Sequence, residues 1–420
     1  MVSKLKPQSE FARNVLTLMT GATIAQAIPV IVSPILTRIY SPSDFGLLSL
    51  FVAFSAIFSS IASGRYEMAI MLPKKNEEAI NILALGAAIT VLMTALVAII
   101  VIVFKNQIVL LFKNEEIGFW LNFAPITIFF MSAFNLLSYY NNRCRNYADI
   151  KNALIAKSTV MVIVQLTVGW FYQGVAGLIS GQIMAQLASN FRLLKNILED
   201  KLLMSKINTL KMIALARKYR NFPKYSMWAG LANVLSGQLP NMIISLIFSV
   251  KTLGFYSLVE RVLAIPTTLI GNSIGQVFFR VAAEEKQKTG ASRDAFFKTT
   301  TRLIFIGVPE FSVLYFFVED IFTFVFGMQW QVAGEYAKIV LPLFCVQFVV
   351  SPLTMMNQVN LKNKLDMYWQ FGLVSLYVGI FLCAHVFDLN FKQTLHVVVV
   401  IISGYYLFMF YLISSYVKES

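Results

Sequence analysis

Polar side chains repeat at helical spacing within an otherwise apolar stretch, residues 254–279. They are Ser257, Arg261, Thr268, Asn272 and Gln276, separated by four, seven, four and four positions. At about 100° per residue they occupy a stripe roughly 100° wide on one helix face. An arginine within a membrane costs about 2.5–3.5 kcal/mol and usually faces water or a partner. Arg261 therefore either lines a polar cavity or pairs with an acid such as the neighbouring Glu260.

Three further apolar stretches carry polar side chains at helical spacing. Their members are Gln347, Ser351, Thr354 and Gln358; Gln182, Gln186 and Ser189 or Asn190; and Asn233, Asn241 and Ser245. Each stripe alone is typical of hydrogen bonding between neighbouring membrane helices. Four such stripes in one chain indicate a wide polar interior. Gln347, Asn272 and Gln276 are candidates to contact a polar ligand there.

Glu310 lies beside Pro309 near the middle of another apolar stretch, residues 299–326. Removing a carboxyl group from water favours its neutral form. Glu310 is therefore a candidate to take up and release a proton. The alternative is a structural role as the partner of a basic residue.

The stretch SGRYEMAIMLP, residues 63–73, places Arg65 and Glu67 between two long apolar runs. One hypothesis is that Arg65 binds an anionic group at the inner mouth of the membrane domain. Glu67 would then orient Arg65, release the anion by competition, or take part in ion coupling. The alternative is that Arg65 only adds to the positive charge of an inner loop, which Glu67 neutralises.

Membrane-spanning helices must position these side chains. Of the 420 residues, 57% are hydrophobic and 13% are charged, and the mean hydropathy is +0.68. Soluble domains carry about 25% charged residues. Spans of roughly 20 apolar residues cross a bilayer as helices, because lipid leaves no partner for unpaired backbone groups. We predict twelve spans: residues 14–37, 45–64, 79–103, 118–140, 153–172, 174–194, 226–248, 254–279, 299–326, 334–357, 367–387 and 394–416.

The basic residues predict the orientation of these spans. With a cytoplasmic N-terminus, the inner segments hold 25 Lys and Arg residues and the outer segments hold five. Cytoplasmic loops of membrane proteins carry such an excess. We therefore expect both termini in the cytoplasm and an uncleaved first span. Orientation then explains the net charge of +14 without a nucleic acid partner.

Residues for catalysis or metal binding are sparse. Cys144, Cys345 and Cys383 have no paired spacing, and His385 and His396 lie in separate predicted helices. The chain has no GxxxxGK[ST] nucleotide-binding loop and no recognisable nucleophile–base arrangement. We expect a protein that is not an enzyme and that needs no metal or cofactor.

The spans divide into two halves of six. FGLLSL at 45–50 and LGFYSL at 253–258 each open a span after a short outer loop. Because six is even, both halves enter the membrane in the same orientation, which is typical of parallel repeats in transporters. We predict a bundle at 1–194, a basic linker at 195–225 and a second bundle at 226–420, related by a parallel pseudo-two-fold axis.

Four stretches together resemble the bacterial polysaccharide-biosynthesis membrane proteins. They are LTRIYSPSDFGLLSLF (36–51), SGRYEMAIMLP (63–73), LGFYSLVERVLAIPTTLIGNSIGQVFF (253–279) and FGMQWQVAGEYAKIVLPLF (326–344). The family comprises the Wzx-type flippases of O-antigen and lipopolysaccharide synthesis. It belongs to the MOP superfamily with the MATE exporters and the lipid II flippase.

The resemblance implies two six-helix bundles around a MATE-like V-shaped cavity in the bacterial inner membrane. It implies alternating access that carries a polyprenyl-pyrophosphate-linked oligosaccharide to the periplasmic leaflet, driven by H⁺ or Na⁺. Membrane lipids, a polysaccharide polymerase and chain-length proteins are the further implied partners. Arg65 and Arg261 match positions for the anionic headgroup. Glu310, Glu67 and Glu260 are our candidates for ion coupling.

Two other functions remain open. A MATE-like cation antiporter would need clustered acids in the first half, yet predicted spans one and three to six contain no Asp or Glu. A membrane glycan polymerase or ligase would need a larger outer loop than the chain offers.

Overall fold

Every secondary-structure element in the described part of the chain is a helix. The structure is a computed structural model that describes residues 10–112, 114–267, 271–289, 291–360 and 362–419. The helices up to the end of the basic linker are α1 (Glu10–Ile39), α2 (Pro42–Ala62), α3 (Tyr66–Ala69), α4 (Asn76–Phe112), α5 (Glu115–Leu121), α6 (Ala124–Arg143), α7 (Tyr147–Phe171), α8 (Ala176–Glu199), α9 (Lys201–Met204) and α10 (Thr209–Lys218).

A π-helical turn, Phe222–Ser226, leads into the remaining helices. These are α11 (Met227–Ile247), α12 (Val250–Pro266), α13 (Asn272–Thr289), α14 (Arg293–Phe326), α15 (Gln331–Leu353), α16 (Met355–Val359), α17 (Asn363–Val386) and α18 (Phe391–Glu419). A 3₁₀ turn, Met328–Trp330, precedes α15.

Nine helical stretches among the described residues are long and apolar enough to cross a membrane, or ten if the bent pair α5–α6 is one span. The predicted class, a multi-pass helical membrane protein, is confirmed. The arrangement of twelve spans stays a prediction. The helices α8 and α12 are not among these stretches, because α8 carries too many polar side chains and α12 is only 17 residues long.

Predicted span eight is covered by α12 and α13, with π-helical residues Thr267 and Gly271 beside their facing ends. In a π-helical turn the backbone hydrogen bond joins residues five positions apart, instead of four as in an α-helix. The stripe predicted through Arg261, Thr268, Asn272 and Gln276 stays a prediction, because residues 268–270 lie outside the described part of the chain.

The chain forms two compact units that cut across the predicted bundles. One comprises Met1–Tyr40 and Leu50–Val234, and the other comprises Ser41–Ser49 and Leu235–Ser420. The first turns of α2 thus group with the second half of the sequence. The predicted division at 194 and 226 remains untested by this grouping.

The first unit is held together by close packing of α7 against α8 and α1. The Tyr40 hydroxyl donates to the Gln165 carbonyl at 2.6 Å, and the Gln165 amide donates to the Leu178 carbonyl at 3.2 Å. A side chain at Gly169 or Gly177 would overlap the Tyr40 hydroxyl. Small residues therefore allow these helices to approach, as is common in membrane bundles.

The second unit is built around the fully buried Trp330. The Phe45 ring meets its indole edge-on at 5.0 Å, and the Phe255 ring does so at 5.8 Å. Such edge-to-face pairs contribute beyond the area they bury. They join the beginning of α2, α12 and the turn before α15.

Candidate functional site

The segment that carries Arg65 has an unusual backbone. Gly64 and Arg65 both adopt left-handed conformations, with φ of 61° at each. Glycine accepts this conformation freely, whereas a residue with a β-carbon pays about 1–2 kcal/mol. The surrounding structure must therefore hold Arg65 in place, and such held residues concentrate at functional sites.

The Arg65 guanidinium is half-buried and only partly satisfied. Its Nη1 lies 3.4 Å from Oε1 of Glu67, whose carboxylate also accepts a hydrogen bond from the Ser63 hydroxyl. A β-carbon at Gly230, on the first turns of α11, would overlap the guanidinium. Nε of Arg65 is buried and finds no acceptor among the described residues. Arg65 thus keeps donors for an incoming anion, and the guanidinium fork matches phosphate oxygens.

Tyr66 anchors the other side of this segment. Its hydroxyl donates to the Ala216 carbonyl of α10 at 3.1 Å, and its ring lies in an apolar cluster with Ala69 and Ile70. Burial raises the pKa of Tyr66. Arg143, at the end of α6, donates from Nη1 to the Ile70 carbonyl at 3.3 Å. The segment is therefore fixed by α6, α10 and α11 together.

Ion pairs dock α10 of the basic linker on α4. Lys211 pairs with Glu77, and Lys218 Nζ lies 3.2 Å from Glu78 Oε2. The hydrogen bond from Lys218 to Glu78 raises the pKa of the lysine. Both pairs are largely exposed, so each stabilises the contact only slightly. Their role is to keep α10 beside Tyr66.

In the second unit, Arg261 does not form the ion pair with Glu260 that was the alternative prediction. Its guanidinium instead lies over the Phe45 ring, 5.3 Å from the centroid. Consecutive residues on a helix point about 100° apart, which separates the two side chains. Within the described ranges no carboxylate pairs with Arg261. A cation–π contact holds the guanidinium while leaving hydrogen-bond donors free.

Glu260 faces a polar cluster made by other helices of the same unit. Oε2 of Glu260 accepts a hydrogen bond from Nδ2 of Asn241 at 3.1 Å. Tyr256 and Tyr377 lie close enough to interact with the carboxylate electrostatically. The Gln347 amide is hydrogen-bonded to the Tyr406 hydroxyl, and Tyr406 in turn interacts with Tyr377. This cluster can bind or release a cation or a proton at Glu260.

The tyrosines of this cluster were missed in the sequence. Tyr377 and Tyr406 lie in the two C-terminal apolar stretches, where aromatic residues are frequent and no polar stripe accompanies them. The usable signal is that a buried tyrosine hydroxyl needs a hydrogen-bond partner. Which partner it finds depends on packing between α15, α17 and α18.

Several predicted residues remain without a tested role. Thr268 and the side chains of Asn272 and Gln276 lie outside the described residues. Ser257 donates to the Gly254 carbonyl of its own helix at 2.9 Å. Glu310 is half-buried on α14 and forms no ion pair with any lysine or arginine in the described part of the chain. Over the same residues, no group of three or more His, Cys, Asp or Glu could hold a metal ion.

A family model described as "Polysaccharide biosynthesis protein" matches residues 35–335. The chain belongs to this polysaccharide biosynthesis protein family. The match covers most of its length and includes Arg65 and Arg261. It confirms the resemblance predicted from the sequence. No curated protein matches the sequence significantly.

Solved structures of the MOP superfamily share the fold of this family member. The lipid II flippase MurJ, in an inward closed conformation, has a TM-score of 0.71 at 14% identity, with 97% of this chain and 90% of that chain covered. An inward-facing multidrug resistance MATE transporter has a TM-score of 0.63 at 12% identity, covering 96% and 94%. A mutant MATE transporter from Vibrio cholerae has a TM-score of 0.59 at 11% identity, covering 97% and 96%. The chain is thus similar in fold to membrane transporters and flippases.

Proposed function

We propose that this protein is a flippase for a polyprenyl-pyrophosphate-linked oligosaccharide. It moves the lipid from the cytoplasmic to the periplasmic leaflet of the bacterial inner membrane, for surface polysaccharides such as the O-antigen. The observation that carries the proposal is the Arg65 guanidinium. It is held in a left-handed backbone beside Glu67, with a buried Nε that has no acceptor among the described residues. Membership in the polysaccharide biosynthesis family supports the choice of cargo.

The main energetic barrier to moving such a lipid across the membrane is its charged headgroup. A pyrophosphate cannot enter hydrocarbon unaided, because burying an uncompensated charge costs several kcal/mol or more. Arg65 and Arg261 offer guanidinium donors that can replace water around phosphate oxygens. Amides such as Gln347, Asn272 and Gln276 are suited to sugar hydroxyls. Glu67, 3.4 Å from Arg65, competes with the phosphate and so prevents binding from becoming irreversible.

Ion coupling belongs to the same proposal. Glu260, in contact with Asn241 and close to Tyr377, is our first candidate for the H⁺ or Na⁺ that drives alternating access. Glu310 is the second candidate, because it lies half-buried within a predicted span. Both termini are proposed to be cytoplasmic, and the polymerase and chain-length proteins of the same pathway are proposed to receive the cargo.

A cation antiporter is the second candidate function, because MATE transporters share the fold. The scarcity of acids in the predicted spans of the first half argues against cationic cargo. We expect such an activity to be absent from the purified protein.

The test uses the full chain in liposomes that contain a fluorescent polyprenyl-pyrophosphate oligosaccharide. Flipping is measured as loss of glycan accessibility to a membrane-impermeant glycosidase. Arg65→Ala should slow flipping by at least about tenfold, because charge-assisted hydrogen bonds contribute about 1.5–3 kcal/mol. The flipping rate of Arg65→Lys should lie between those of the wild type and Arg65→Ala, since lysine keeps the charge but lacks the two-pronged guanidinium group.

Lys74→Ala is the matched control, because Lys74 is an exposed cation of the same segment. It should flip at the wild-type rate. Wild-type flipping by Arg65→Ala would remove Arg65 from the binding site. A wild-type protein that exports cationic drugs and ignores the sugar lipid would overturn the flippase proposal.

A further inference from the structure

An open cavity lies between the beginning of α17 and the end of α18 in the second unit. Its volume is about 640 Å³. Leu365 and Tyr368 line it from the first turns of α17, and Leu412 and Tyr416 line it from the last turns of α18. Residues three or four positions apart share a helix face, so each helix turns one face toward the cavity. Neither the Arg65 segment nor the cluster around Glu260 includes any of these residues.

Two lysines without a counter-charge also line this cavity. Lys362 directly precedes α17 and Lys364 lies in its first turn, and both are exposed. Within the described ranges no carboxylate forms an ion pair with either lysine. The acid nearest in sequence, Asp366, accepts a hydrogen bond from Nδ2 of Asn357 at 2.6 Å. The exposed part of the cavity is therefore positively charged and attracts anions.

Asn357, on α16, holds this charged part of the cavity in place. Asn357 is fully buried, and its carbonyl accepts a hydrogen bond from the backbone N–H of Lys362 at 2.7 Å. Its Oδ1 accepts a hydrogen bond from the Tyr416 hydroxyl at 2.5 Å. The Lys362 ammonium in turn lies 3.5 Å from the centroid of the Tyr416 ring. Lys362 is thus fixed at its backbone and at its side chain, and a cation–π contact leaves ammonium N–H donors available.

The lining changes from charged to apolar at the predicted inner surface of the membrane. Tyr416 is the last residue of the predicted span 394–416, and Leu412 lies four residues, or about 6 Å, further into that span. On α17, Leu365 lies two residues before the predicted span 367–387, and the two lysines precede it. The cavity therefore offers cations on its water side and leucines on its membrane side.

We infer that this cavity binds an anionic phospholipid of the cytoplasmic leaflet. Lys362 and Lys364 contact its phosphate, and its acyl chains lie along Leu365 and Leu412. Basic pockets between membrane helices on the cytoplasmic side are suited to such headgroups. The leucines favour a phospholipid over a soluble anion, because only the lipid has apolar surface to bury against them. The inference does not depend on which lipid the protein transports.

The test measures lipid binding by the purified, delipidated full chain in a non-ionic detergent, with native mass spectrometry reporting the first bound lipid. The probes are phosphatidylglycerol, phosphatidylcholine with the same acyl chains, polyprenyl pyrophosphate and glycerol 3-phosphate. Lys362→Gln combined with Lys364→Gln should weaken binding of phosphatidylglycerol about 25-fold, because each lysine beside an anionic lipid contributes about fivefold. Binding of phosphatidylcholine should not change. Both positions are exposed, so the midpoint of thermal unfolding without lipid should also stay the same.

Lys74→Gln combined with Lys75→Gln is the matched control. It removes the same charge from two exposed lysines on the same predicted side of the membrane, and it should bind phosphatidylglycerol as the wild type does. Ser415→Trp tests the cavity itself, because Ser415 lines it and an indole there would fill space while both cavity lysines remain. This variant should also lose the preference for phosphatidylglycerol, which a role of the lysines in general charge attraction would not predict.

Wild-type binding of phosphatidylglycerol by the variant that lacks Lys362 and Lys364 would overturn the inference. An equal loss of binding in the control that lacks Lys74 and Lys75 would overturn it as well, since net charge alone would then explain the effect. Displacement of phosphatidylglycerol by glycerol 3-phosphate at equal concentration would rule out the assignment to a lipid. Loss of polyprenyl pyrophosphate binding in place of phosphatidylglycerol binding would assign the cavity to the cargo and contradict a phospholipid site.

Discussion

Gly46 and Gly254 pack backbone against backbone. A β-carbon added at Gly254 would lie 3.0 Å from the backbone nitrogen of Gly46 and would overlap the Pro42 carbonyl. A β-carbon at Gly46 would in turn overlap the carbonyl of Val250. The glycines occupy the second positions of FGLLSL and LGFYSL, the two motifs that indicated an internal repeat. The paired motifs thus cross each other directly.

We predict that Gly254→Ala destabilises the protein by about 1–3 kcal/mol, the usual cost of forcing extra atoms into close packing. The obstacle is backbone, which cannot move aside as a side chain tip can. Thermal unfolding in detergent measures the change. Gly379→Ala is the matched control, since a β-carbon there meets nothing within 4 Å, and alanine favours a helix. Equal midpoints for the two variants would contradict the close crossing.

The membrane class could be predicted from the sequence. Hydropathy averages over about 20 residues, so single polar side chains such as Glu310 do not hide a span. The crossing of Gly46 with Gly254 could not be predicted, because it joins positions 208 apart by backbone contact alone. Sequence similarity indicated that the motifs correspond but not that they touch.

The candidate site could be predicted only in part. The Arg65 segment stood out, because a charged tripeptide interrupts apolar runs. The contacts that hold this segment in place could not be predicted, because Tyr66 finds its partner Ala216 in the linker, 150 residues away. The partner of Arg261 was likewise uncertain, since periodicity gives the face of a residue and not the ring that lies opposite, here Phe45.

Gly230→Ala should impair flipping by displacing Arg65 without changing any charge. The new β-carbon would overlap the guanidinium, so the fork must leave its place beside Glu67. We expect the flipping rate to fall by about tenfold, comparable to the loss of one charged hydrogen bond. Gly237→Ala, on the same helix, meets nothing within 4 Å and should be active. Equal rates for the two variants would show that the position of Arg65 does not matter.

Glu260→Gln should remove the dependence of flipping on an ion gradient. The new amide oxygen can still accept from Asn241, so the packing is kept and only the charge is lost. Flipping in liposomes with and without a gradient of H⁺ or Na⁺ measures the effect, and the ratio of the two rates should fall to about one. Glu319→Gln is the control, because Glu319 is engaged with Lys338 at 3.1 Å. If the gradient still accelerates flipping in Glu260→Gln but no longer does so in Glu310→Gln, ion coupling is assigned to Glu310 instead.

Cys144 provides a test of orientation, because it directly follows α6 on the predicted cytoplasmic side and its residue is exposed. In a protein with Cys345→Ala and Cys383→Ala, a membrane-impermeant maleimide should label Cys144 only after the cells are permeabilised. Phe387→Cys, exposed after α17 on the predicted outer side, should be labelled in intact spheroplasts. Partial desolvation raises the pKa of the Cys144 thiol, so less thiolate is present at neutral pH. Its labelling rate in permeabilised cells should therefore keep rising as the pH is raised above neutrality, since the thiolate is the reactive form. Labelling of Cys144 in intact spheroplasts would reverse the proposed topology and with it the inner location of Arg65.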